Sequence, residues 1–171
     1  MRLAALALLL TAALRPVAAR AQLAPRSLAL ELGFSDDSVA ALGSRAPVGL
    51  VASWWLGGEL DATVRFTWTS AARTEDRAAD GAYETGLGLR YRLARWGSLR
   101  PHLALELAGI AVVPGAGWSG VTGLRLGAGA GVEAFLGRDV FLALVLQGSE
   151  LLLPGGGGPG ICGVVRAGAY F

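Results

Sequence analysis

Residues 120–147 contain the longest stretch of this chain in which apolar and polar positions alternate. From Leu124 to Leu136 every second residue is apolar, and the residues between them are Arg, Gly, Glu and Phe. Because successive side chains of a strand point to opposite faces, this period of two indicates a long β-strand with one apolar face. Gly137-Arg138-Asp139 predicts a turn, and Val140–Gln147 alternates again, as the returning strand of an antiparallel hairpin does.

The first 21 residues have the features of a signal peptide. Met1-Arg2 supplies the basic start, Leu3–Leu14 the apolar run, and Ala19-Arg20-Ala21 an A-x-A cleavage site. The apolar run is too short for a good membrane-spanning helix. We therefore expect export and a single mature domain of residues 22–171; the alternative is an amphipathic first helix of a cytosolic protein.

The composition of the mature chain excludes several classes of protein. The chain is 53% hydrophobic, yet no run of 18 apolar residues follows the leader, which excludes a helical membrane protein. All 15 basic residues are Arg, and the three in the leader leave 12 against 13 acids, so a basic nucleic-acid surface is not supported. Since a membrane barrel places apolar residues on its outer face, this composition favours a barrel.

Seven connections, long and short in strict alternation, separate eight segments of alternating polarity. An even number of antiparallel strands with short turns at one end and longer loops at the other is typical of transmembrane barrels. The sequence therefore predicts an all-β fold, an eight-stranded antiparallel up-and-down transmembrane β-barrel, with both ends of the domain on the short-turn side. The predicted strands are Ser27–Ser35, Pro47–Leu56, Glu59–Thr69, Gly81–Leu93, Leu99–Val112, 120–136, Val140–Gln147 and Ile161–Phe171, and the long loops are 36–46, 71–80, 113–119 and 153–160.

Two features of the strands follow from this prediction. Outward aromatic residues fall near the strand ends, where membrane barrels carry aromatic girdles; they are Phe34, Trp54, Trp68, Tyr83, Tyr91 and Phe171. The inward positions carry acids and arginines in similar number, and an eight-stranded barrel is just wide enough for side chains to fill it. We therefore expect a plugged, salt-bridged lumen formed by Glu31, Asp61, Arg65, Glu84, Arg90, Arg92, Arg100, His102, Glu106, Arg125, Glu133 and Arg166.

Together with the leader, the strands and the final Ala167-Gly168-Ala169-Tyr170-Phe171, this pattern resembles small bacterial outer-membrane β-barrel proteins, typified by the OmpA and OmpX membrane domains. The resemblance implies a monomer in the outer membrane, in contact with its lipid and lipopolysaccharide. It also implies that Tyr170 and Phe171 form the signal read by the barrel-assembly machinery. Because the sequence stops at Phe171, we expect no peptidoglycan-binding domain.

Candidate chemical sites are few. His102 is the only histidine and Cys162 the only cysteine, and we expect a lumen histidine and a small buried residue rather than a base, a metal ligand or a reactive thiol. Gly129–Ala134 fits a dinucleotide-binding motif, but no strand ends there, so we expect no cofactor. Five acids in the predicted outer loops form a solvated surface, with divalent-bridged contact to lipopolysaccharide as a hypothesis; they are Asp36, Asp37, Glu75, Asp76 and Asp80.

The sequence thus indicates a non-enzymatic outer-membrane barrel that serves envelope structure or surface contact through four outer loops. Two alternatives stay open: a narrow pore or carrier for small solutes, and a lipid-modifying enzyme that would depend on His102.

Overall fold

The computed structural model describes residues 26–38, 43–71, 79–114 and 120–171. The predicted signal peptide and the acids Glu75 and Asp76 lie outside the described residues. The strands are β1 (Ser27–Asp37), β2 (Gly43–Gly57), β3 (Leu60–Ala71), β4 (Ala79–Arg92), β5 (Leu99–Pro114), β6 (Val121–Phe135), β7 (Val140–Leu153) and β8 (Gly156–Tyr170).

The eight strands form one closed barrel. Each strand pairs antiparallel with the next, and β8 closes on β1 in a register that runs from Ser27 opposite Tyr170 to Asp37 opposite Gly160. Closure pairs both outer strands, so the sheet has no free edge. The predicted all-β, eight-stranded antiparallel barrel is confirmed. No helix within the described ranges is long and apolar enough to cross a membrane.

The barrel has two distinct ends. At the terminal end, β1 begins and β8 ends, and the three turns Gly58-Glu59, 93–98 and 136–139 join the strands. At the loop end lie the other four connections, of which residues 39–42, 72–78 and 115–119 are outside the described ranges.

The fourth connection at the loop end differs from its prediction. We expected a long loop over residues 153–160, but β7 continues to Leu153 and β8 begins at Gly156, so that only Pro154 and Gly155 make the turn. Gly155 has φ +91°, a conformation that glycine adopts without strain. The Gly and Pro content indicated a loop, whereas the alternation of inward Leu151 and outward Leu152 continues into a paired hairpin.

The first connection is also shorter than predicted. β1 extends to Asp37 and β2 begins at Gly43, so Asp37 and Arg45 are buried inside the barrel instead of lying in an outer loop. The expectation that Asp37 belongs to a solvated acidic surface is therefore wrong. Asp36 does lie on the outside, where it accepts a hydrogen bond from Ser44 Oγ at 2.9 Å.

The polarity of the molecule is inverted relative to a water-soluble protein. Leu30, Leu87 and Leu105 point outward with 61–65% of their surface exposed, whereas Glu31 and Asp61 point inward with none. The outer face is therefore apolar and the core is ionic, with apolar patches.

The outward aromatic residues lie toward both ends. Near the loop end, the Tyr83 ring packs on Trp68 with centroids 4.5 Å apart, and Phe34 is exposed on β1. Toward the terminal end, Tyr91 and Phe171 are exposed, and Trp54 is half-buried.

The barrel lumen as candidate functional site

The lumen is the place where the described side chains concentrate charge. Its inward positions form three layers of ion pairs between the loop end and the terminal end, and apolar clusters flank them.

An apolar cluster lies at the loop end. Leu151 is fully buried against Ala82, Ile110 and Val112, and Leu153 packs beside them. These side chains come from β4, β5 and β7, which all present inward positions at this height. This cluster was not predicted, because the predicted β7 ends at Gln147, before Leu151.

The first ion layer joins two carboxylates to two arginines. Arg125 binds Asp37 bidentately, with Nη1 2.8 Å from Oδ1 and Nη2 3.1 Å from Oδ2, and its Nη2 also lies 3.2 Å from Glu84 Oε1. Arg45 binds Asp37 as well and lies 3.5 Å from Glu84. The planar guanidinium groups of two arginines thus balance the charge of two carboxylates in this layer.

The second layer is also balanced. Arg65 donates from Nε to Glu31 and from Nη1 to Glu106, both at 2.9 Å. Arg166 donates from Nε to the other oxygen of Glu31 at 2.7 Å. Glu31 thereby links β1 to β3 and to β8 across the closure of the barrel.

The third layer lies nearest the terminal end. Asp61 binds Arg90 at 3.0 Å, contacts Arg92, and lies 3.7 Å from the half-exposed Arg26. Glu133 accepts from Arg90 at 2.6 Å and from the Tyr170 hydroxyl at 2.9 Å. Each carboxylate therefore serves more than one donor.

Two inward basic side chains of this layer, Arg100 and His102, form no ion pair within the described residues. No ion pair joins Arg100 to an acid within the described ranges, and its Nε is buried without a hydrogen-bond partner. His102 is 1% exposed, and neither ring nitrogen has a hydrogen-bond partner there. Its ring lies over Gly131, where a Cβ atom would come within 2.6 Å of Nε2.

Aromatic side chains close the terminal end from inside. The Tyr170 ring packs on Phe141 and Phe135 with centroids 5.0 and 5.8 Å apart, and the guanidinium of Arg92 lies 5.2 Å from its centre. Phe141 is 1% exposed and also packs near Ala29. Tyr170 is predicted from the sequence only as part of the assembly signal, yet it lies at an inward position of β8.

The lumen encloses little free space around the first two layers. A cavity of about 10 Å³ lies between Arg65, Arg125 and Cys162, which is the room of about one water molecule. Cys162 is buried and packs with Val145 and Val164 on the wall. Within the described residues, no three His, Cys, Asp or Glu side chains are placed to share a metal ion.

The geometry around His102 is unlike that of a catalytic base. The inward residues on either side of it, Arg100 and Ala104, and the residues paired with it, Arg92 and Gly131, carry no hydroxyl or thiol group. A general base needs a proton donor within hydrogen-bond reach. These four neighbours supply no such nucleophile.

The structure brings the predicted lumen residues to the inside and divides them among the three layers. Their partners include two residues that the sequence analysis missed, Asp37 and Arg45. Both continue the inward parity of their strands, Asp37 after Ser35 and Arg45 before Pro47, so the alternation contained the signal.

Two solved structures are similar to this barrel. The crystal structure of Neisserial surface protein A (NspA) matches with a TM-score of 0.66 at 18% sequence identity, covering 85% of this chain and 95% of that one. The crystal structure of the N-terminal β-barrel domain of Pseudomonas aeruginosa OprF matches with a TM-score of 0.56 at 14% identity, covering 84% and 98%. No protein-family model and no curated protein matches the sequence.

At such low identities the likeness shows the fold. The chain has the fold of small eight-stranded outer-membrane β-barrels, and the predicted resemblance to barrels of the OmpA and OmpX type is confirmed at that level.

Proposed function

We propose that this protein is a bacterial outer-membrane barrel with a closed lumen, which serves envelope structure or surface contact and neither conducts solutes nor catalyses a reaction. The observation that carries the proposal is the inverted polarity: an apolar outer face around an ion-paired interior.

The outer face supports a membrane setting. Large apolar side chains with roughly half of their surface exposed occur on all eight strands, for example Leu32, Leu103 and Leu144. A water-soluble monomer rarely exposes one continuous apolar patch larger than a few hundred Å². Lipid tails solvate such a surface at no cost, and a closed barrel leaves no unpaired strand edge in hydrocarbon.

The interior supports a structural role over transport. Arg65 and Arg90 each bind two carboxylates inside the lumen, and Leu151 and Phe141 fill its two ends. Opening a water path would require breaking several buried ion pairs at once.

In this proposal the terminal end faces the periplasm and the loop end faces outward, as in other barrels with short periplasmic turns. The β7–β8 hairpin then projects its Pro154-Gly155 turn from the cell, beside the three other connections. Phe171, with 82% of its surface exposed, offers an aromatic side chain at the end of β8 to the assembly machinery. Lipopolysaccharide contacts the loop-end girdle around Tyr83 and Trp68.

The first test is the gel mobility of the protein extracted from outer membranes, with and without boiling in detergent. We expect faster migration of the unboiled sample, because a closed barrel resists the detergent. Recovery of the protein in the soluble periplasmic fraction, with identical mobility before and after boiling, would contradict the membrane assignment.

The second test separates a filled barrel from a pore and from an enzyme. We expect no single-channel conductance after reconstitution into a planar bilayer. We also expect an unchanged lipid A mass spectrum in cells that produce the protein or its His102→Ala variant. Steady conductance steps, or a lipid A mass change lost in His102→Ala, would replace the structural role with one of these activities.

Orientation is tested with an epitope inserted between Pro154 and Gly155. Antibody should label intact cells, because this turn extends the loop end beyond the apolar band. A control insertion between Gly137 and Arg138, in a turn at the terminal end, should be labelled only after the outer membrane is opened. The reverse pattern would invert the proposed orientation.

A further inference from the structure

The three ion layers of the lumen differ in charge. The layer of Asp37 and Glu84 and the layer of Glu31 and Glu106 each hold two carboxylates and two arginines. The layer nearest the terminal end holds two carboxylates against three arginines, with Arg26 as a fourth at the rim; these are Asp61 and Glu133 against Arg90, Arg92 and Arg100. Positive charge is therefore in excess at one end only.

Unpartnered polar atoms are also most numerous at this end of the lumen, although Arg45 Nε and Arg125 Nε of the first layer lack a hydrogen-bond partner too. Arg92 Nε and Arg100 Nε are buried with no hydrogen-bond partner. The two ring nitrogens of His102 are also unpartnered, and the neutral imidazole contributes one N–H donor and one acceptor. One acceptor there, Asp61 Oδ1, also lacks a hydrogen bond, although it faces Arg26. Buried donors are nearly always satisfied by protein, water or a bound ion. We therefore expect an acceptor near Arg92, Arg100 and His102.

The unused donors lie close together on neighbouring strands. His102 on β5 is paired directly with Arg92 on β4, and Arg100 precedes His102 by two residues on the same inward face. Directly paired residues of an antiparallel sheet have Cβ atoms about 5 Å apart. The three residues therefore occupy neighbouring positions on the inner wall of the barrel, in a layer with surplus positive charge.

The surroundings favour a compact ligand. The imidazole of His102 lies on the backbone at Gly131, and the Tyr170 ring covers Arg92. Arg100 is half-exposed, so it connects this region to the solution at the terminal end. A spherical monoanion can accept from guanidinium and imidazole N–H groups that approach from different directions, without the room that a phosphate group needs.

We propose that Arg92, Arg100 and His102 form a halide-binding site inside the terminal end of the barrel, occupied by chloride. The anion neutralises the surplus charge of the third layer and accepts the hydrogen bonds that no protein atom accepts. The site requires the closed barrel, and it does not depend on the role proposed above.

The direct test is crystallisation of the wild-type protein in sodium bromide, with data collected at the bromine absorption edge. We expect an anomalous peak between Arg92, Arg100 and His102. Because this measurement uses the unaltered chain, it does not depend on the folding of a variant. An ordered water with no anomalous signal at that position would overturn the proposal.

The solution test follows the ³⁵Cl linewidth during titration of the detergent-solubilised barrel with chloride, at ionic strength held constant with gluconate. Arg100→Gln should weaken binding about tenfold or more, because it removes a charged hydrogen-bond donor. The matched control is Arg95→Gln, at the same end but exposed and bonded to Gly97 O at 2.6 Å. Equal chloride binding by both variants would mean surface attraction only and would overturn the proposal.

The gel-mobility shift is measured on the same samples. A retained shift without halide binding refutes the anion site alone, whereas loss of the shift in the wild type refutes the outer-membrane barrel proposal.

Discussion

At the scale of single residues, one carboxylate organises more of the interior than its neighbours do. Asp61 is fully buried, binds Arg90 and Arg92, and lies 3.7 Å from Arg26. Charges buried in a barrel are stable only when they are paired, so the carboxylate and its arginines depend on one another.

Asp61→Asn should therefore destabilise the barrel by about 3–5 kcal/mol, since the amide keeps the shape but leaves Arg92 without its counter-charge and Arg90 with Glu133 alone. The free energy of unfolding in urea, measured in lipid vesicles, checks this value. Asp36→Asn is the matched control. Because Asp36 is exposed on the outside of the same barrel, its substitution should change the free energy of unfolding by about 0.5 kcal/mol or less. Equal stability of the two variants would mean that the lumen charges are hydrated and independent.

Residue polarity could be predicted from the sequence, but the ion-pair partners could not. A strict period of two separates Glu31 from Leu30 and Leu32 without any structure. The bond from Arg166 to Glu31, in contrast, joins residues 135 positions apart, and its existence depends on how β8 meets β1. Register across the closure is a property of the whole barrel, so no local pattern contains it.

At the scale of elements, the β7–β8 hairpin shows where composition is misleading. Glycine and proline between Leu153 and Gly160 indicate a loop when they are judged as residue types. In the structure β8 begins at Gly156 and pairs with β7 as far as Leu153, since its register is set by strand pairing on both sides. Strand pairing likewise extends β2 back to Gly43, although the predicted strand begins at Pro47.

The hairpin yields a test with adjacent residues. Leu151→Ala should cost about 2–5 kcal/mol, because Leu151 is fully buried among Ala82, Ile110 and Val112. Leu152→Ala, on the outward face of the same strand, should cost about 0.5 kcal/mol or less. Unfolding in urea measures both. Equal losses of stability in the two variants would mean that Leu151 does not point into the lumen while Leu152 points outward.

At the scale of the whole molecule, the outer face is a continuous apolar band. Its middle is marked by Leu105, 61% exposed on β5 and flanked on the neighbouring strands by Leu89 and Ala128. The band makes the barrel's stability depend on what surrounds it.

Leu105→Arg should destabilise the barrel in lipid by about 2–4 kcal/mol, the cost of a cation at the bilayer midplane. Leu99→Arg, on the same strand at the terminal end, should cost about 0–1 kcal/mol, since an arginine there reaches the interface. Unfolding in lipid vesicles gives both values. Equal costs would mean that the band does not face hydrocarbon in the assumed position.

The pairing of β8 with β1 also determines the order of events in folding. The first described strand has only one of its two partners until the last strand arrives, so this contact has nearly the largest sequence separation that the chain allows. Such contacts form late, because the entropy of closing a long loop must be lost before they are gained. Until that moment the carboxylate of Glu31 and the guanidinium of Arg166 require water. The ion pair between Glu31 and Arg166 therefore forms together with the closed wall.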